Sequence, residues 1–319
     1  MRGTLINLLL RALVKPIWRR APSIDLLRRR AAMVDRRFGG KASGEPCRVE
    51  HLSDQVDAQW IGPTANAANG AILYLHGGGF CVHLPATYGA FCSDLARRTG
   101  LPVLLPDYRL APEHPAPAAL DDCEIAYRQL LHTVPAERIV VAGDSAGGNL
   151  ALALLQRLPH VGLPMPAGAV LLSPATDFTG AGWSMQFNER RDVMFSHEAL
   201  AIVAGHYLKQ LPAADPRVSP LLGDWRGLPP LWFHVSSSEM LLDHSLLAVD
   251  RARLLGVDAQ ATVWPDLPHV FPLFGGLAEA AQCRADIARF IAALLAPRQA
   301  LLGATPYRAG PPSALEFQG

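Results

Sequence analysis

Val140-Val141-Ala142-Gly143-Asp144-Ser145-Ala146-Gly147-Gly148-Asn149 carries an apolar run through Gly-x-Ser-x-Gly into the start of a helical pattern. The β-branched run from residue 138 reads as a buried strand, and residues 146–158 read as a helix. Small residues at 143 and 147 let strand and helix approach closely. Ser145 is then expected on a sharp, strained bend that lifts its hydroxyl out of the sheet. Taken alone, the pentapeptide fits a helix N-cap equally well, because serine is favoured there and its oxygen satisfies an exposed amide.

Outward from this stretch, apolar runs alternate with helical ones. Residues 71–75, 101–105, 138–142, 169–172, 231–235 and 260–264 read as strands, with one or two more between 46 and 61. Helices are expected at about 115–132, 146–158, 243–255 and 277–295. This alternation predicts an α/β protein whose mostly parallel sheet is covered on both faces, with chemistry at the carboxyl ends of its strands. Two segments break the pattern, the first forty residues and about 178–211, and together they could form a lid.

A serine nucleophile needs a base and a residue that orients the base. His269 lies in the short loop after the last predicted strand, where it could face the bend at Ser145; His76 and His114 each belong to other motifs. For the acid, Glu239 falls just past the end of the preceding strand, and Asp243, a turn later, stays open as the alternative. The chain order serine, acid, histidine fits the strand-turn-helix nucleophile. His76-Gly77-Gly78-Gly79-Phe80 follows the 71–75 strand and leaves the backbone bare. Amides of Gly78 and Gly79, with that of Ala146, could hold the negative oxygen that forms during acyl transfer. A phosphate loop is the poorer reading, since no Gly-Lys-Ser/Thr follows.

Four stretches together resemble the hormone-sensitive-lipase family of esterases, of the bacterial family IV type, within the α/β-hydrolase superfamily. They are 76–80, Asp107-Tyr108-Arg109-Leu110-Ala111-Pro112-Glu113-His114-Pro115, 143–149, and Ser173-Pro174-Ala175-Thr176-Asp177. The resemblance spans roughly residues 70–295. It implies an α/β-hydrolase fold with an eight-stranded sheet, and a cap built from N-terminal helices (1–45) and an insertion at about 178–212, on a catalytic domain of residues 46–297. It also implies a serine carboxylesterase acting on short- to medium-chain acyl esters, without metal or organic cofactor. The family's acid motif usually begins with aspartate, whereas Glu239 stands there in this chain. Stretch 107–115 is expected to be structural. An amidase or arylformamidase would use the same three residues, and a non-catalytic ligand receptor of this fold, as in the gibberellin receptors, lacks the histidine that His269 supplies here.

Composition narrows the partners. A net charge of +1 over 319 residues carries no polyanion-binding signature and argues against nucleic acid. The first forty residues, however, hold ten Lys or Arg against two Asp, which leaves −7 for the rest. Ile6, Leu9, Leu10, Leu13 and Ile17 fall on one helical face, and Arg11, Lys15 and Arg19 on another. The expected arrangement is a solvated basic face over a packed apolar one, with attachment to a membrane surface as the alternative reading, and with neither a cleaved secretion signal nor a membrane span. Five scattered cysteines, at 47, 81, 92, 123 and 283, read as buried thiols of a cytoplasmic protein. The tail at 298–319 reads as loosely ordered, and an edge strand could pair two copies of the chain.

Overall fold

Apolar runs with no polar side predict strands buried on both faces, and that is where they lie. The computed structural model describes residues 2–13, 15, 23–40, 44–209 and 211–296. The sheet has eight strands: β1 Cys47–Ser53, β2 Val56–Ile61, β3 Ala71–Leu75, β4 Val103–Asp107, β5 Ile139–Asp144, β6 Gly168–Leu172, β7 Leu231–Ser236 and β8 Ala259–Trp264. Their spatial order is β1-β2-β4-β3-β5-β6-β7-β8, with β2 antiparallel to both neighbours and the rest parallel. All residues of β3, β5, β6 and β7 are buried. The β1 edge is exposed and carries Arg48, Glu50 and His51, charges that discourage pairing with another chain.

Alternation along the strands splits the core between two faces. Leu73, Leu75, Val141, Leu171 and Phe233 meet α4 (Ala118–Leu131), α5 (Ala146–Arg157) and α8 (Leu242–Leu254). Ile72, Tyr74, Val140 and Ala142 meet α3 (Pro85–Thr99) and α9 (Ala278–Leu294). Helix α5 is buried along nearly its whole length, Ala146 through Gln156, which agrees with its mostly apolar and small side chains.

The strand order decides where the site can be. β3 lies between β4 and β5, so the chain moves outward after β3 and returns on the other side to make β5. Leu75 pairs with Gly143, and the glycine-rich loop after β3 therefore opens beside the bend after β5. At the other side, Ser236 pairs with Trp264, which sets the loops after β7 and β8 next to each other.

Several expectations shift. Helix α3 has no counterpart in the sequence reading. Its N-cap position is Leu84, which offers no capping oxygen; Asp35 supplies it from afar, accepting from the N–H groups of Ala86 and Thr87, both at 2.9 Å. Strand β4 starts two residues later than expected, at Val103, after Pro102. At the N-terminus lie α1 (Arg2–Leu13) and α2 (Ile24–Phe38), and between β6 and β7 lie α6 (Ser184–Phe187) and α7 (His197–Leu208). Continuation of the first helix to Ile17 and Arg19 falls outside the described residues, as does the tail at 298–319. Cys47 is exposed in the edge strand, which corrects the reading of all five thiols as buried; the other four are buried. Among the described residues, no helix is long and apolar enough to cross a membrane.

Candidate active site

Ser145 has φ 52° and ψ −115°, a backbone conformation that costs a non-glycine residue of order 1–3 kcal/mol. Its surroundings hold it there. The Ser145 N–H donates to Leu172 O at 2.8 Å, and its carbonyl accepts from Asn149 and Ala175, each at 3.1 Å. The hydroxyl makes no capping bond to α5, so the N-cap reading fails and the oxygen is left to face the cavity. Close approach of α5 to the sheet makes the bend feasible. A Cβ on Gly147 would stand 1.9 Å from Leu75 O and 2.5 Å from His76 O. Both are backbone atoms at the root of the glycine loop. Gly147→Ala is therefore expected to cost about 3 kcal/mol, since overpacking must move main chain. Urea unfolding measures this, and an unchanged midpoint would contradict the tight contact.

The loop after β3 is shaped by the strand that carries the serine. Asp144, buried, accepts from the Gly77 N–H at 2.9 Å and from the hydroxyls of Tyr74 and Tyr88 at 2.9 and 3.0 Å. Burial pushes its carboxyl up to about 6, while those three hydrogen bonds and nearby His269 act to hold it down. With Gly77 anchored, the backbone turns at Gly78, whose carbonyl accepts from Cys81 and Val82 at 3.2 and 3.0 Å. Gly78 has φ +112°, and a Cβ there would meet Val82 O at 2.0 Å, so only glycine fits. Ala146 occupies the first position of α5, where a helix leaves its N–H without an internal partner and the helix dipole favours negative charge.

His269 and Glu239 are both buried, and the Glu239 Oε2 lies 2.5 Å from the imidazole Nδ1. The other carboxylate oxygen accepts from Ser173 Oγ at 2.8 Å and from Ser236 N–H at 2.7 Å, which fixes the acid's orientation. Burial alone would lower the His269 pKa. The charge of Glu239 and its hydrogen bond, with Asp192 and Asp144 adding, reverse that and leave it raised above 6.5. The imidazole Nε2, buried, has no hydrogen-bond partner among the described residues. Ser145, Ala146, Gly78, Gly79 and His269 line one cavity of about 610 Å³.

Asp243 takes no part in this group. Its Oδ2 accepts from the Ser184 N–H at 2.9 Å, and Ser184 Oγ accepts from the Asp243 N–H at 2.9 Å, so the pair joins α8 to α6. His76 is also set aside. Its ring is buried between His83 and Tyr108, stacked at 4.3 and 4.1 Å, and burial and His83 lower its pKa to about 3. Stretch 107–115 is structural as expected: Arg109 grips buried Asp122 through Nε and Nη2, and Glu113 pairs with Arg28 of α2 at 2.7 Å.

Some contributors escaped the sequence reading. Phe195 meets the His269 ring edge-on at 4.7 Å. Buried Asp192 accepts from the N–H groups of Met194, Phe195 and Met240, which ties the segment before α7 to the acid loop. Nothing local marks that aspartate, one charge among several in residues 189–192. Over the cavity, Ile6 and Leu10 of α1, Leu27 and Val34 of α2, and Leu200 and Val203 of α7 supply apolar walls.

Comparison with known proteins bears on the fold and the class of activity. Residues 72–273 match a family model described as alpha/beta hydrolase fold. An esterase of Acinetobacter venetianus is 40% identical over 231 residues, 72% of this chain and 76% of that protein. An acetyl-hydrolase of Streptomyces hygroscopicus is 36% identical over 233 residues, 73% of this chain and 76% of that one. Among solved structures, a hormone-sensitive lipase from a metagenome library superposes with a TM-score of 0.85 at 36% identity, covering 93% of this chain and 99% of the other. An esterase from the bacterial hormone-sensitive lipase family gives 0.81 at 36% identity, over 88% and 96%.

Proposed function

Since the chain belongs to the α/β-hydrolase family, as a carboxylic ester hydrolase of the hormone-sensitive-lipase type, we propose that it cleaves short- to medium-chain acyl esters through Ser145, His269 and Glu239. One observation carries the reading: a strained serine shares a cavity with a buried imidazole whose far nitrogen is held by a carboxylate. Ser145 Oγ attacks the acyl carbon while His269 Nε2 takes its proton. Glu239 stabilises the resulting imidazolium without accepting the proton. The carbonyl oxygen becomes negative, and the amides of Gly78, Gly79 and Ala146 meet it; one such donor is worth about 100- to 1000-fold in turnover. His269 then protonates the departing alcohol, and water activated by the same ring releases the acid. An apolar cavity of about 610 Å³ is of ordinary ligand-binding size and suits an acyl chain of modest length.

The pH dependence tests these roles. His269 must be neutral to act as base, so kcat/KM should fall as pH drops through its pKa. Because the Glu239 charge raises that pKa, the acid limb should have its midpoint above 6.5. A limb centred well below 6.5 would remove the Glu239–His269 pairing from the mechanism. Parallel rates on an aryl ester and its matching amide separate esterase from amidase: the ester should react faster, and faster amide turnover would transfer the assignment.

A further inference from the structure

Three helices that line the cavity and form its rim, α1, α2 and α6, also turn apolar side chains to water. Leu8 and Leu9 of α1, Met33 and Phe38 of α2, and Trp183 and Phe187 at the two ends of α6 are between 51% and 72% exposed. Ile6, Leu10, Val34 and Met185 of the same three helices line the cavity, and Phe38 does both. Exposure of Leu9 corrects the expectation that it packs inward with Ile6 and Leu10. The Trp183 and Phe187 rings lie 6.0 Å apart, so the aromatic part of the rim is a contiguous group. Exposed apolar groups on several helices that share one cavity mark an interaction surface rather than chance scatter.

Charge selects the occupant. Arg29, Met33, Arg36 and Arg37 share one exposed helical face of α2, at spacings of four, three and one residues. The Arg37 guanidinium lies 5.1 Å from the centroid of the Phe38 ring, placing a cation on the apolar rim itself. Of the two aspartates in α2, Asp35 is buried against the start of α3, so Asp25 is the helix's one exposed carboxylate. Two copies of the chain meeting symmetrically through this rim would oppose arginine to arginine. A sheet of lipid phosphates meets the same cations favourably and admits the apolar tips between headgroups.

We propose that the outer faces of α1, α2 and α6 adsorb to an anionic phospholipid surface, with their arginines on the phosphates and the exposed apolar side chains between headgroups. This is peripheral attachment, consistent with the lack of any spanning helix among the described residues.

Co-sedimentation of the full chain with phosphatidylcholine vesicles, and with an equal mixture of phosphatidylcholine and phosphatidylglycerol, tests it. At about 0.1 M salt the protein should pellet with the mixed vesicles only, and about 1 M salt should release it. Arg29→Glu with Arg36→Glu should weaken partition roughly 100-fold, as expected for loss and reversal of cations near the surface. Met33→Ser with Trp183→Ser and Phe187→Ser should weaken it about 10-fold or more. Both variants should hydrolyse a water-soluble aryl ester at the unsubstituted rate, which separates lost docking from lost folding. Should either fail that control, the salt release and Phe187→Ser alone stand in for it. Equal binding to both vesicle types, no binding, or variants that partition normally would overturn the proposal. So would a concentration-dependent dimer that the serine substitutions abolish, since a second copy would then occupy the rim.

Discussion

Ser145→Ala is expected to lower turnover of an aryl acetate by about 10⁶-fold, and His269→Ala by a similar factor, with little further loss when both are changed. Serine and histidine act in one step, so removing either removes that step. What remains in each variant comes from backbone donors and binding alone. The geometry makes the test clean, because Ser145 is held by its own N–H and carbonyl rather than by its hydroxyl. Alanine should therefore fold normally, and urea unfolding should differ by less than about 1 kcal/mol. The strain of the bend survives the substitution. Steady-state kinetics on the two single variants and the double one measure the coupling. Losses that multiply to about 10¹² relative to the parent, or a variant that keeps a tenth of the activity, would contradict a shared step.

Glu239→Gln should cost about 10⁴-fold in kcat, whereas Asp243→Asn should leave kcat within a few-fold of the parent. The glutamine keeps the volume and can still accept from Ser173 Oγ and Ser236 N–H, so the loop should stay in place. What it loses is the charge on the oxygen 2.5 Å from His269 Nδ1. Without that charge, burial prevails and the His269 pKa falls, so the acid limb of kcat/KM should move to lower pH even as the rate drops. Asp243→Asn instead disturbs the exchange of hydrogen bonds with Ser184, a stability effect of about 1 kcal/mol. A large kcat loss in the Asp243 variant, with a mild one at Glu239, would reverse the assignment.

Much of the site was legible because its parts are local. Ser145 lies between two small residues at a strand-to-helix junction, His269 lies one loop past the final strand, and glycines at 77–79 leave main chain uncovered. Each is a signal within about five residues, and their order along the chain supplies the rest. The N-cap alternative for Ser145 was not separable in sequence, since both readings ask for a serine before a helix. Its positive φ and the hydrogen bonds from the β6 loop separate them. Similarly, Glu239 and Asp243 are four residues apart on the path from β7 into α8, and sequence offers two carboxylates on one side of one loop. Their partners, His269 in one case and Ser184 in the other, are thirty and fifty-nine residues away.

What this chain determines by itself is the alternation of buried strands with helices, the bend at Ser145, and the bare loop after β3, because hydrophobic periodicity and glycine act over one or two turns of chain. The tertiary structure alone decided that Asp35 caps α3, that Asp144 fastens Gly77, that Asp192 ties the segment before α7 to the acid loop while Phe195 meets His269, and that α1, α2 and α6 turn apolar residues to water. The physical reason is the same throughout. A hydrogen bond or a buried charge takes its value from whichever group is brought beside it, and that neighbour is chosen by how the sheet and its covering helices pack, not by the residues next to it in the chain.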